Sequence, residues 1–138
     1  MIVTPKTTSY NPNISRDYRF EKMIRNYNKF GSLVIGVDFD FTLTDPVTKE
    51  TYLDMVELIK RMNSQSFKLC IWTANSDREY VEKTWNDHDL RWHYYNYSPI
   101  NPSAIKPHFN ILLDDSAGLN ESIDLVERIM DYIEAQEI

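Results

Sequence analysis

Three short apolar runs, 33–37 (LVIGV), 69–72 (LCIW) and 109–113 (FNILL), break off at polar side chains: Asp38 and Asp40, Thr73, and Asp114 and Asp115. Runs this short and this apolar read as strands buried on both faces, the kind a parallel sheet uses. Between and beyond them, apolar residues recur at helical spacing: Met55, Ile59 and Met62 in 53–62, Val81 and Trp85 after Ser76, and Ile123, Val126, Met130 and Ile133 in 119–133. Strands alternating with helices predict an α/β fold of about four mostly parallel strands, with right-handed crossovers and helices on both faces. Ligands of such sheets bind outside the carboxyl ends of the strands. The polar groups that end the three runs should therefore converge on one rim.

The other elements are read more locally. Ser15 is expected to cap a helix that carries Phe20, Met23, Ile24 and Tyr27 on one stripe and stops before Gly31. Residues 43–52, with Pro46, read as a turn or small hairpin, and Ser76 with Glu79 matches a capping box. The aromatic segment 92–97 is expected to be a further strand. This divides the chain into an N-terminal extension, 1–30, and a body, 31–138.

A chain of 138 residues, 42% of them hydrophobic, is long enough to bury one core of its own. Its charge is uneven: residues 1–30 hold six Lys/Arg and two Asp/Glu, and the rest hold nine and nineteen. An acidic body disfavours nucleic acid, which draws affinity from neutralised phosphates. The basic lead is expected to lie on the acidic body. No apolar run approaches the ~20 residues of a membrane span, and the N-terminus lacks the layout of a secretory signal. The single cysteine, Cys70, sits in an apolar run and reads as packing in a reducing compartment, so a cytoplasmic location is expected. Trp72, Trp85, Trp92 and Tyr94 read as core rather than as a base-stacking surface. His88, His93 and His108 lack metal-ligand spacing.

Two carboxylates from one strand end and two from another repel each other unless a cation neutralises them or some stay protonated. An all-oxygen set of this kind suits Mg²⁺. Beside such a cation and a phosphate, one carboxylate can attack phosphorus while a second, two residues on, moves the proton. Thr73 can hydrogen-bond a phosphoryl oxygen, and Asn75 follows closely enough to reach a substrate or to brace the next helix.

The sequence resembles the haloacid dehalogenase superfamily. VDFDFTLTD is similar to its first motif, a strand followed by Asp-x-Asp-x-Thr; IWTAN to its second, a strand ending in Thr or Ser; and ILLDDSAGL to its fourth, a strand ending in paired acids. The likeness covers 33 to about 133 and is nearest to compact members such as deoxyribonucleotidases and small phage-encoded proteins. It implies a three-layer Rossmann-like fold and an Mg²⁺-dependent phosphatase acting through an aspartyl-phosphate. Asp38 would be nucleophile and metal ligand. Asp40 would be general acid/base, with its backbone carbonyl on the metal. Thr73 would bind the phosphoryl group, Asp115 the metal directly and Asp114 in the outer shell, with Lys106 as the third-motif lysine. Phe41 stands where the family usually has glycine, and its ring is expected to reach the substrate site or alter the turn.

About thirty residues separate Asp40 from Thr73, and a similar number separates Thr73 from Lys106. Each gap is already filled by a helix and strand, which leaves room for a small flap at 43–52 and none for a cap domain. An open site implies a macromolecular phosphate ester, or a small substrate covered by a second copy of the chain. The alternatives are a nucleotidase, a polynucleotide 3′-phosphatase, or a binding or regulatory protein of weak turnover, for which Phe41 is the motive.

Overall fold

The computed structural model describes residues 12–103, 108–116 and 118–137. Strands β1 (Val34–Val37), β2 (Lys68–Ile71), β3 (Tyr94–Tyr95) and β4 (Ile111–Leu113) form one all-parallel sheet in the order β3-β2-β1-β4. Helices α1 (Pro12–Phe30), α2 (Leu53–Asn63), α3 (Arg78–Asp87) and α4 (Leu119–Gln136) flank it, giving a three-layer Rossmann-like α/β fold.

Register decides what the sheet buries. Ile35 pairs with Leu69 and Ile111, and Val37 with Ile71 and Leu113. Side chains alternate along a strand, so these six share one face. All are buried, in one core with Ile59, Met62, Val126 and Ile129. Each such aliphatic side chain stabilises the fold by about 1.5–3 kcal/mol relative to exposure. The opposite face carries Gly36, Cys70 and Leu112, and there the Phe109 ring lies so close that a Cβ on Gly36 would meet it at 2.9 Å. Trp72 packs edge-on against Phe109, with ring centroids 5.6 Å apart. This face is less fully covered, since Val34, Leu112 and Tyr94 keep partial exposure and Lys68 is exposed.

Helix α1 already includes Pro12, so Ser15 lies within it rather than at its cap. It ends where expected, with Gly31 at φ +71 donating its N–H to Tyr27 O at 2.7 Å. Met23 and Ile24 enter the common core. Phe20 meets Tyr132 of α4 edge-on, and Arg128 of α4 lies over the Phe20 ring and pairs with Asp17 at 2.8 Å. Helix α1 thus docks on α4, through an acid of the lead and an arginine of the body rather than through the lead's positive charge, and residues 1–11 lie outside the described residues. Helix α2 is tied to α4 by Arg61, which reaches both Asp131 and Glu134.

Two boundaries differ from expectation. The cap of α3 is Asp77, not Ser76: its carboxylate accepts from Tyr80 N at 3.1 Å, and a charged acceptor suits a helix N-terminus better than a hydroxyl. The segment expected as a strand over 92–97 shrinks to Tyr94–Tyr95. Before it, His93 satisfies Leu69 twice, with backbone N–H to Leu69 O at 2.8 Å and ring Nδ1 accepting Leu69 N–H at 3.0 Å. After it, Asn96 turns to φ +49. Among the described residues, no helix is long and apolar enough to cross a membrane.

Candidate active site

Strands β1 and β4 are neighbours in register, so the acids that follow them are set side by side. Asp38 N–H donates to Leu113 O at 2.8 Å, which extends the ladder to the first acid. One carboxylate oxygen each of Asp38, Asp114 and Asp115 then lies within 4.8 Å of the others. Asp38 and Asp114 are partly buried and Asp115 is exposed. The Asp38 carboxyl is pushed up to about 7, first by burial, then by the charge of Asp114 and by its hydrogen bond with Asp115. Asp114 Oδ1 is engaged by Ser116 N–H at 2.9 Å, and an open depression lined by Asp115, Gly118 and Asn120 adjoins the cluster.

The turn after β1 supports this cluster. Phe39, fully buried, lets its carbonyl take the N–H groups of Thr42, Leu43 and Thr44 at 3.3, 2.9 and 3.1 Å. Phe41 N–H closes the turn on Thr44 O at 2.8 Å, with Phe41 at φ +62. That left-handed conformation costs a non-glycine residue roughly 1–2 kcal/mol, and the turn forms in spite of it. The Phe41 ring stands out in solvent, 52% exposed, instead of filling the space between the carboxylates. Thr42 points inward, donating to Asp38 Oδ2 at 3.4 Å and accepting Asp115 N–H at 3.0 Å. The sequence reading passed over this hydroxyl as a site residue; the signal available for it was its place four residues after Asp38.

Asp40 stands apart from the three-acid group. Its Oδ1 accepts a hydrogen bond from Asn75 Nδ2 at 3.3 Å. Thr73, buried at the end of β2, is clamped by Asn96, which takes Thr73 N–H at 2.8 Å and gives its amide to Thr73 O at 2.9 Å. Asn96 is the second residue that sequence reasoning missed, and only its tolerance of a positive φ marks it. The Thr73 hydroxyl oxygen accepts Asn75 N–H at 3.0 Å, and its hydrogen has no acceptor among the described residues. Lys106 lies outside the described residues.

The flap at 43–52 is a small hairpin, bridged between Thr44 and Thr51 and turned by Asp45, whose carboxylate takes Val47 N–H at 2.8 Å. Lys49 rests its ammonium over the Tyr80 ring, 5.3 Å from the centroid, which pins the flap to α3. The core reading of the aromatics holds for Trp85, which is fully buried, and in part for Trp92, which packs against the core, while Trp72 and Tyr94 stay partly exposed and Tyr97 is exposed. Cys70 is buried, and burial pushes its thiol up to about 12. Comparisons with protein-family models, curated proteins and solved structures find no match to this chain.

Proposed function

We propose that this chain is an Mg²⁺-dependent phosphoric monoester hydrolase working through a phospho-Asp38 intermediate, as its resemblance to the haloacid dehalogenase superfamily implies. One observation carries the reading: three carboxylate oxygens, from Asp38, Asp114 and Asp115, gather within 4.8 Å at neighbouring strand ends. The donor set is all oxygen and negatively charged, which fits a hard divalent cation, and the Asp38 carboxyl is raised first by burial and then by the charge of Asp114, both of which a cation would offset. Asp38, Asp114 and Asp115 would hold it. When bound, such a cation draws off negative charge from a phosphoryl oxygen and from Asp38.

The residues divide the work. An Asp38 oxygen attacks phosphorus, and the bond to the ester oxygen breaks. Asp40 gives its proton to the leaving oxygen, then takes a proton from the water that attacks the phospho-Asp38 phosphorus. The Asp38–phosphorus bond breaks, releasing inorganic phosphate and restoring the carboxylate. Thr73 donates its free hydroxyl hydrogen to a phosphoryl oxygen. Lys106 takes the third-motif role on the strength of the resemblance alone. With no cap domain among the described residues, the proposed substrate is an exposed phosphate ester, and the cytoplasm is the proposed location.

The test is phosphate release from p-nitrophenyl phosphate and a nucleotide panel, with and without Mg²⁺, for wild type and Asp38→Asn. Cation-dependent release that vanishes in Asp38→Asn is expected. Release that survives the substitution would remove Asp38 as nucleophile. Mg²⁺ binding without release from any ester would favour a binding or regulatory role.

A further inference from the structure

We propose that Asn75 is a positioning residue for Asp40, holding the orientation of its carboxyl group toward the ester; this rests on the reading of Asp40 as general acid/base. Asn75 Oδ1 accepts the backbone N–H of Asp77 at 2.9 Å. A backbone N–H can only donate, so this bond fixes the orientation of the amide and directs Nδ2 to Asp40 Oδ1, 3.3 Å away. The backbone N–H of Asn75 is held by Thr73 Oγ1. Both ends of the side chain and its own amide are therefore committed to protein.

These bonds belong to a closed circuit. Asp77 caps α3 through Tyr80 N–H, the Tyr80 ring meets Phe39 edge-on at 5.6 Å between centroids, and Phe39 is the residue between the two acids. The position of Asp40 is thus referred to α3 through Asn75 and to the core through Phe39. The consequence is geometric: with Oδ1 engaged by Asn75, Oδ2 is the oxygen left for proton transfer with the ester and with water.

General acid catalysis matters most when the leaving oxygen is strongly basic, so the leaving group is the probe. Asn75→Ser keeps a side-chain acceptor for Asp77 N–H but is too short to reach Asp40. For this variant, kcat/KM on ethyl phosphate, which reports the steps up to phospho-Asp38, should fall roughly 10- to 100-fold. On p-nitrophenyl phosphate, whose leaving oxygen needs no proton, kcat/KM should change little. In an Asp40→Asn background, adding Asn75→Ser should cause no further loss on p-nitrophenyl phosphate. A rise in KM on both esters with kcat preserved would make Asn75 a substrate ligand and overturn the inference. Equal loss of kcat/KM on both esters, or kinetics like wild type, would overturn it too. A wild type inactive on both esters with Mg²⁺ present would bring down the phosphatase reading and this inference with it.

Discussion

The hydroxyl oxygen of Thr42 accepts the backbone N–H of Asp115 at 3.0 Å, joining the turn after β1 to the end of β4. The same hydroxyl gives its hydrogen to Asp38. Thr42→Val keeps the shape and removes both bonds, so it should cost about 1–3 kcal/mol of stability in urea unfolding. Titration calorimetry should show weaker Mg²⁺ binding, and Thr42→Ser should restore both properties. Unchanged binding in Thr42→Val would mean that Asp115 is held by other means.

The Asp38 carboxyl sets a pH dependence. Its pKa rises from 3.8 to about 7 on folding, so between those values the folded protein holds a proton that the unfolded chain releases. This contribution to cation-free stability is fully present below pH 3.8 and is lost as pH rises through about 7. Urea midpoints measured in chelator should follow that slope, and Asp38→Asn should flatten it. Mg²⁺ binding should tighten across the same window, because the cation displaces the proton.

Phe41 offers a separable test of strain. Its left-handed backbone favours glycine, and its ring is half exposed, so little packing is lost on truncation. Phe41→Gly should stabilise the protein by up to about 1 kcal/mol, the relief of strain exceeding the added entropy of the unfolded chain. Chemical denaturation reads this directly. Destabilisation would show that the ring packs more tightly than its exposure indicates.

Gly36 is constrained by space, not by backbone angle. A methyl group there would strike the Phe109 ring at 2.9 Å, two residues before Asp38. Gly36→Ala should cost about 1–3 kcal/mol through overpacking. Adding Phe109→Leu should recover part of that loss, a non-additivity that a double-mutant cycle measures.

The parallel sheet and the rim of polar groups were legible because each apolar run stops abruptly at Asp38, Thr73 or Asp114, a pattern local to the run. What was not legible depends on partners far along the chain. Thr42 matters because β4 lies beside β1, and nothing near Thr42 announces that pairing. Asn96 matters because its amide faces Thr73, and the adjoining strand is short where the His93 ring, in place of a backbone carbonyl, accepts the Leu69 N–H. The cap at Asp77 was missed by one residue, since Ser76 with Glu79 fits the spacing while Asp77 has the stronger acceptor. Asn75 shows the limit most clearly: its brace at the start of α3 was readable, but its bond to Asp40 was not.

The order β3-β2-β1-β4 also bears on how the protein reaches its fold. Ile35 meets Leu69 on one side and Ile111 on the other, so the β1–β4 pairing closes the longest loop in the sheet. Contacts so distant in sequence cost the most chain entropy before they return any energy. In this chain that closure also crowds three like charges together. Docking of β4 therefore works against electrostatic repulsion as well as entropy, and whatever quiets the acids, a proton or a cation, favours that closure.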